Sequence, residues 1–100
     1  MTPGVFRAIA LALPGVVERP HMDRSAFRAR IIFATLAADG QSANLKLARD
    51  EQELHTERLP GVVFPVPGGW GRMGWTTVLL GGIGGDDLAI LLAAAHRGGS

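Results

Sequence analysis

The sequence predicts a two-layer α+β domain in which an antiparallel sheet carries amphipathic helices on one face. Three observations support this. Both ends of the chain repeat apolar residues at helical spacing, and the middle is a series of short Val-, Ile-, Phe- and Thr-rich runs separated by hairpin-length connections. With 100 residues there is room for one core, which buries about 60–70 % of the surface the unfolded chain exposes. The expected order is α-β(3)-α-β(2)-α, in a single domain over residues 1–100 with no internal repeat.

Thr2 is placed to cap a first helix with Pro3 at its first position, and Phe6, Ile9, Ala10 and Leu13 follow at the spacing of one buried stripe before Pro14-Gly15 ends it. Strands are expected near 24–28, 30–37 and 42–47. A further short one can form at 16–19, with Arg19-Pro20-His21 as a break and Ala38-Asp39-Gly40-Gln41 as a hairpin turn. In Ala43-Asn44-Leu45-Lys46-Leu47 the alternation turns Leu45 and Leu47 to the core and presents Lys46, the only lysine, on the other side. Residues 49–58 are polar around a central Leu54 and read as a short surface helix ended by Leu59-Pro60-Gly61. Strands at 62–66 and Trp75–Leu80 follow, then a glycine-rich, flexible connection over Gly81–Gly85. The last helix has Asp86 and Asp87 in its first turn, a stripe of Leu88, Leu91, Leu92 and Ala95, and His96 and Arg97 in its last turn.

Charge and cysteine content narrow the function classes. The net charge is only +1, but Arg19, Arg24, Arg28 and Arg30 face a lone Asp23 in their segment, whereas Asp50, Glu51, Glu53 and Glu57 cluster further on. A basic and an acidic region are therefore expected. There is no cysteine, which excludes disulfides, thiolate metal sites and cysteine nucleophiles and fits a reducing, cytoplasmic setting. No leader pattern and no apolar run of membrane-spanning length is present, so no membrane association is expected.

No catalytic constellation emerges. His21, His55 and His96 fall in three different elements without metal-ligand spacing, and His21 with Asp23 is the only local pair. Ser25 and Ser42 lie in strand-like contexts with no nucleophile elbow. Gly68, Gly69, Gly71 and Gly74 do not spell a phosphate loop, and no helix is expected to begin there. The chain is read as non-enzymatic, without cofactor or metal.

The most informative stretch is Pro65-Val66-Pro67-Gly68-Gly69-Trp70-Gly71-Arg72-Met73-Gly74-Trp75, which concentrates both tryptophans in one glycine-rich connection. Either the rings seal one end of the core, or they form a contact surface with arginine. Arg28, Arg30, Lys46 and Arg72, with Trp70 and Trp75, are the candidate contact residues. Cations suit phosphate oxygens and rings suit stacking, although basic residues also protect solvated strand edges.

Five segments occur in the order found in the MmcQ/YjbR family: Leu13-Pro14-Gly15-Val16, Ser25-Ala26-Phe27-Arg28, Ile32-Phe33-Ala34-Thr35-Leu36, Ala43-Asn44-Leu45-Lys46-Leu47 and Trp70-Gly71-Arg72-Met73-Gly74-Trp75-Thr76. The chain resembles that family over nearly its whole length, with Phe27, Asn44, Lys46, Trp70, Gly71, Trp75 and Thr76 at its motif positions. The resemblance implies a compact α+β fold, CyaY-like or similar to secretion chaperones, in mostly bacterial proteins commonly labelled DNA-binding, with no agreed reaction or cofactor. Two departures are the short, glycine-free Arg28-Ala29-Arg30 and the Gly81-Gly82-Ile83-Gly84-Gly85 run. DNA is thus the first expected partner, a protein partner bound through an exposed sheet face the second, and a small ligand near Lys46 and the tryptophan loop the third.

With neither cysteine nor clustered histidine, the fold is expected to need no metal. A thermal melt with and without EDTA should give the same midpoint, and a large drop on chelation would contradict the reading.

Overall fold

In the computed structural model, which describes residues 1–99, the chain begins as its capping signals predict. The Thr2 hydroxyl accepts from the Val5 N–H at 3.1 Å and Pro3 opens α1 (Pro3–Ala12). Phe6 and Ala10 are buried, and Ile9 and Leu13 pack beside them. Four strands follow: β1 (Val17–His21), β2 (Arg24–Arg28), β3 (Ile32–Leu36) and β4 (Ser42–Lys46). Then come α2 (Arg49–Arg58), β5 (Val63–Pro65), the single turn α3 (Gly69–Arg72), β6 (Trp75–Leu79), a 3-10 turn over Leu80–Gly82, and α4 (Gly85–Gly99).

The six strands form one antiparallel sheet in the order β1-β2-β3-β4-β6-β5. Strand β6 inserts between β4 and β5, so these two run parallel with α2 as the crossover between them, a split β-α-β unit. Pairing sorts the side chains. Ala34, Leu45 and Thr76 lie in one cross-strand row and Leu36, Ala43, Val78 and Val63 in another, all turned to the helices. On the opposite face Thr35, Asn44 and Thr77 form a polar row in which the Thr77 hydroxyl donates to Asn44 Oδ1 at 2.9 Å.

Helices α1, α2 and α4 cover the first face, with the four stripe residues of α4 fully buried. Phe6 meets Phe27 edge to face with centroids 5.4 Å apart, a contact worth about 0.5–1.5 kcal/mol beyond its buried area. Arg7 of α1 reaches Glu18 of β1 at 3.0 Å, which anchors the helix over the sheet edge but, half-exposed, adds no more than about 1 kcal/mol.

The structure departs from the sequence-based expectations in five places. The segment around 16–19 is a full strand that runs through Pro20 to His21. Proline is tolerated because β1 is an edge strand, as is β5 with Pro65. The strand expected over 30–37 is shorter, because Arg28 pairs with Ile32 and Phe27 with Ala34, leaving Phe33 as a bulge residue. The bulge lets Phe33 and Ala34 both be buried, and Arg30 lies in the turn before the strand. In α2 the buried residues are Gln52 and His55, while Leu54 is 49 % exposed. A helical turn, α3, occupies the tryptophan connection where no helix was expected. The Gly81–Gly85 connection is held in place, since Leu80 and Ile83 are buried and the Leu80 N–H donates to Gln41 O at 3.0 Å.

The alternation in β4 is as predicted: Leu45 is fully buried between Ala34 and Thr76, and Lys46 is half-exposed opposite Trp75. Leu45→Ala should therefore lower unfolding stability by about 2–5 kcal/mol, and Lys46→Ala by less than about 0.5 kcal/mol, in a denaturant titration of both variants.

Candidate functional site

Antiparallel topology brings the last residues of β2 and β4 and the first residues of β3 and β6 to the same end of the sheet. Arg28 closes β2, Arg30 lies in the following turn, Lys46 closes β4, Arg49 opens α2, and Arg72 closes α3 just before β6. Four acids lie at the other end: Asp23 in the β1–β2 turn, Asp39 in the β3–β4 turn, and Asp86 and Asp87 at the start of α4. Charge is thus divided in part by strand ends, and the acidic segment expected from the sequence, Asp50 to Glu57, lies on α2. Arg24 begins β2 at the far end, where its guanidinium donates to the Thr35 hydroxyl at 2.9 Å. The acids of α2 are partly neutralised in place, with Glu53 on Arg49 at 3.4 Å and Glu51 on Arg97 at 3.5 Å, and Glu51 also hydrogen-bonds His55 at 3.0 Å.

Two glycines let the tryptophan connection close on this end. A Cβ on Gly71 would collide with the Val66 carbonyl oxygen, and one on Gly74 with the Leu47 carbonyl oxygen. Gly74 also sits at φ 103°, and its own carbonyl accepts from the Leu47 N–H at 2.9 Å. The loop is thereby stitched to the end of β4.

Gln52 holds the arrangement from the core side. Its amide Nε2 donates to Gly71 O and the Thr76 hydroxyl, both at 3.0 Å, and to Trp75 O at 3.3 Å, while the Thr76 hydroxyl donates to Gly74 O at 2.9 Å. Both carbonyls are pure acceptors, so the amide orientation is fixed by its surroundings. His55, one turn further along α2 and also buried, donates from Nε2 to Glu51 and accepts at Nδ1 from the Arg58 Nε–H at 3.4 Å. Arginine is a donor only, so Nδ1 is the accepting nitrogen in this contact, and the ring serves as a structural strut. Among the described residues no group of three or more His, Cys, Asp or Glu could hold a metal ion.

At the cationic end a cavity of about 370 Å³ opens between the sheet and the last turns of α4. Ile31, Phe33, Leu47, Met73 and Ala95 give it an apolar floor, and Lys46, Arg49 and Arg72 stand around it. Ala48, the first residue before α2, borders it without a side-chain cap.

The six sequence-derived candidates separate. Lys46 and Arg72 meet at the cavity, and neither side chain makes a hydrogen bond or ion pair among the described residues. Arg28 and Arg30 lie at the same end of the sheet and are exposed, but they do not share a strand and do not line the cavity. Trp70 is 61 % exposed on α3, whereas Trp75 is half-buried on the solvent face of β6. Neither ring belongs to the core, so they do not seal its end. Sequence reasoning missed Arg49, read as part of a polar surface helix, and the buried role of Gln52. The only local signal for Gln52 was that Leu54 is the sole aliphatic residue in an otherwise polar helix, too little to bury it.

The family model for YjbR matches residues 11–98 of the chain. Solved structures share its fold, two of them as follows. A Deinococcus radiodurans protein with a DUF419 domain superposes with a TM-score of 0.78 at 20 % identity, over 95 % of this chain and 75 % of that one. A Pseudomonas syringae protein superposes with a TM-score of 0.77 at 16 % identity, over the full length of both. No curated protein matches the sequence.

Because buried Gln52 donates to three oxygens and Leu54 is half in water, the usual ranking of polar and apolar substitutions should invert in α2. Gln52→Leu should cost about 1–3 kcal/mol and Leu54→Ala less than about 1 kcal/mol by denaturant titration.

Proposed function

The chain belongs to the YjbR family, and from that premise we propose that it is a non-enzymatic module that binds DNA through its cationic end. The observation that carries the reading is the gathering of Arg28, Arg30, Lys46 and Arg72 at one end of the sheet, where none has an acidic partner among the described residues. Charges left without counter-ions on a folded surface attract a polyanion even when the net charge is only +1, because Asp23, Asp39, Asp86 and Asp87 sit at the opposite end and Glu18, Glu51 and Glu53 are engaged by Arg7, Arg97 and Arg49. Arginine forks suit phosphate oxygens, and exposed Trp70 offers a ring for stacking on an unpaired base. The short β2–β3 turn and the half-buried Trp75 give no reading element long enough to enter a groove, so the contacts favour phosphate over base edges.

A second reading, a protein partner, is favoured by Trp70 and Met73, which stand 61 % and 58 % exposed within four residues of each other. Salt distinguishes the two, since phosphate contacts weaken steeply with ionic strength and an apolar interface does not.

Duplex DNA should bind weakly, in the range of about 10⁻⁴–10⁻⁶ M, with log affinity falling linearly against log salt. Replacing Lys46 and Arg72 together by Ala should lower the slope by about 1.8, the equivalent of two phosphates, and leave the circular dichroism unchanged. Fluorescence anisotropy of labelled duplex and single-stranded DNA measures both. No binding by a folded sample at low salt would remove the DNA reading and favour the protein partner.

A further inference from the structure

The cavity at the cationic end has a chemistry that phosphate-backbone binding does not call for. Its floor is made by Ile31, Phe33, Leu47, Met73 and Ala95, none of which carries a strong hydrogen-bonding side chain, while its charged members are all cations. Three floor residues, Phe33, Leu47 and Ala95, are core residues held by packing, so this part of the cavity exists before any ligand arrives. Its volume of about 370 Å³ falls at the small end of the range for organic ligands. Arg49 is engaged by Glu53, but the side chains of Lys46 and Arg72 have no hydrogen-bond or ion-pair partner among the described residues. An apolar recess bordered by unpartnered cations matches an anion whose charge sits at one end of a hydrocarbon or aryl body. The floor has nothing to pair with the polar edges of a sugar or nucleobase, which would lose hydrogen bonds on entering.

We infer that this cavity is a binding site for a small amphipathic carboxylate, with the apolar body against Ile31 and Met73 over the buried Phe33 and Leu47, and the carboxylate between Lys46 and Arg72. Arginine offers a planar fork that matches a carboxylate, and lysine a mobile point charge. Gly74 and Gln52 set the site, since they fix the loop carrying Arg72 and Met73 against the end of β4. The inference stands apart from DNA binding, because a ligand without phosphate tests it in the absence of nucleic acid.

The three methionines provide the readout. Met73 lines the cavity, whereas Met22 is in the β1–β2 turn and Met1 lies beside Gly85, both at the other end of the molecule. In protein labelled with ¹³C at the methionine methyl groups, octanoate should shift the Met73 signal saturably and leave those of Met1 and Met22 unmoved. The affinity should fall at least about tenfold in the Lys46→Gln/Arg72→Gln double variant, which removes no side-chain hydrogen bond or ion pair among the described residues. 1-Octanol, the same body without charge, and inorganic phosphate, charge without the body, should each bind at least about tenfold more weakly than octanoate. The inference is overturned if octanoate gives no saturable Met73 shift at millimolar concentration, or if all three methionines shift alike. It is equally overturned if 1-octanol or phosphate matches octanoate, or if the double variant binds octanoate as the parent does.

Discussion

The amide of Gln52 ties helix α2 to the tryptophan loop and to β6 through Gly71 O, Trp75 O and the Thr76 hydroxyl, and the layout of the cationic end depends on that junction. A buried amide with its donors used contributes only modestly to net stability, about 0.5–1.5 kcal/mol per hydrogen bond, and the carbonyls of Gly71 and Trp75 also accept from the Gly74 and Val66 N–H groups at 3.0 Å. The bond set thus acts more as a constraint on geometry than as a source of energy. It requires α2 to bury a polar face, which explains why a helix with one aliphatic residue packs at all and why that residue faces outward. The same junction sets α3 close enough to β4 that Gly71 and Gly74 must lack side chains.

Insertion of β6 between β4 and β5 supplies the rest. Had the strands paired in chain order, the end of β4 and the start of β6 would not be neighbours, and Lys46 would not stand opposite Trp75. With β6 inside, the end of β4, the start of α2 and the loop leading into β6 converge, and their cations converge with them. A chain with a net charge of +1 can in this way gather cations at one end, because four of its acids are carried by the opposite turns and Glu51 and Glu53 are paired with Arg97 and Arg49.

The fold class, the first and last helices, the β3–β4 hairpin and the face assignment in β4 follow from local chemistry. Each rests on signals a few residues long: a capping threonine with proline behind it, an apolar stripe at helical spacing, an Asp-Gly turn with Gly40 at φ 70°, and strict alternation at Ala43–Leu47. Such signals act within an element and need no partner to be read. The family resemblance was legible in the same segments, and the YjbR model spans residues 11–98.

What the tertiary structure alone decided was which residues meet. The Phe33 bulge, the passage of β1 through Pro20, the burial of Gln52 and His55 and the helical turn at Gly69–Arg72 all depend on strands or backbone atoms distant in sequence. The cavity depends on them too, because its walls come from the start of β3, the end of β4, the start of α2, the loop before β6 and the last turns of α4. By itself the sequence determined the elements and the residue types able to hold an anion. Strand order determined that Lys46, Arg49 and Arg72 border one apolar recess, because backbone hydrogen bonding across the sheet, and not proximity along the chain, sets which strand ends lie side by side.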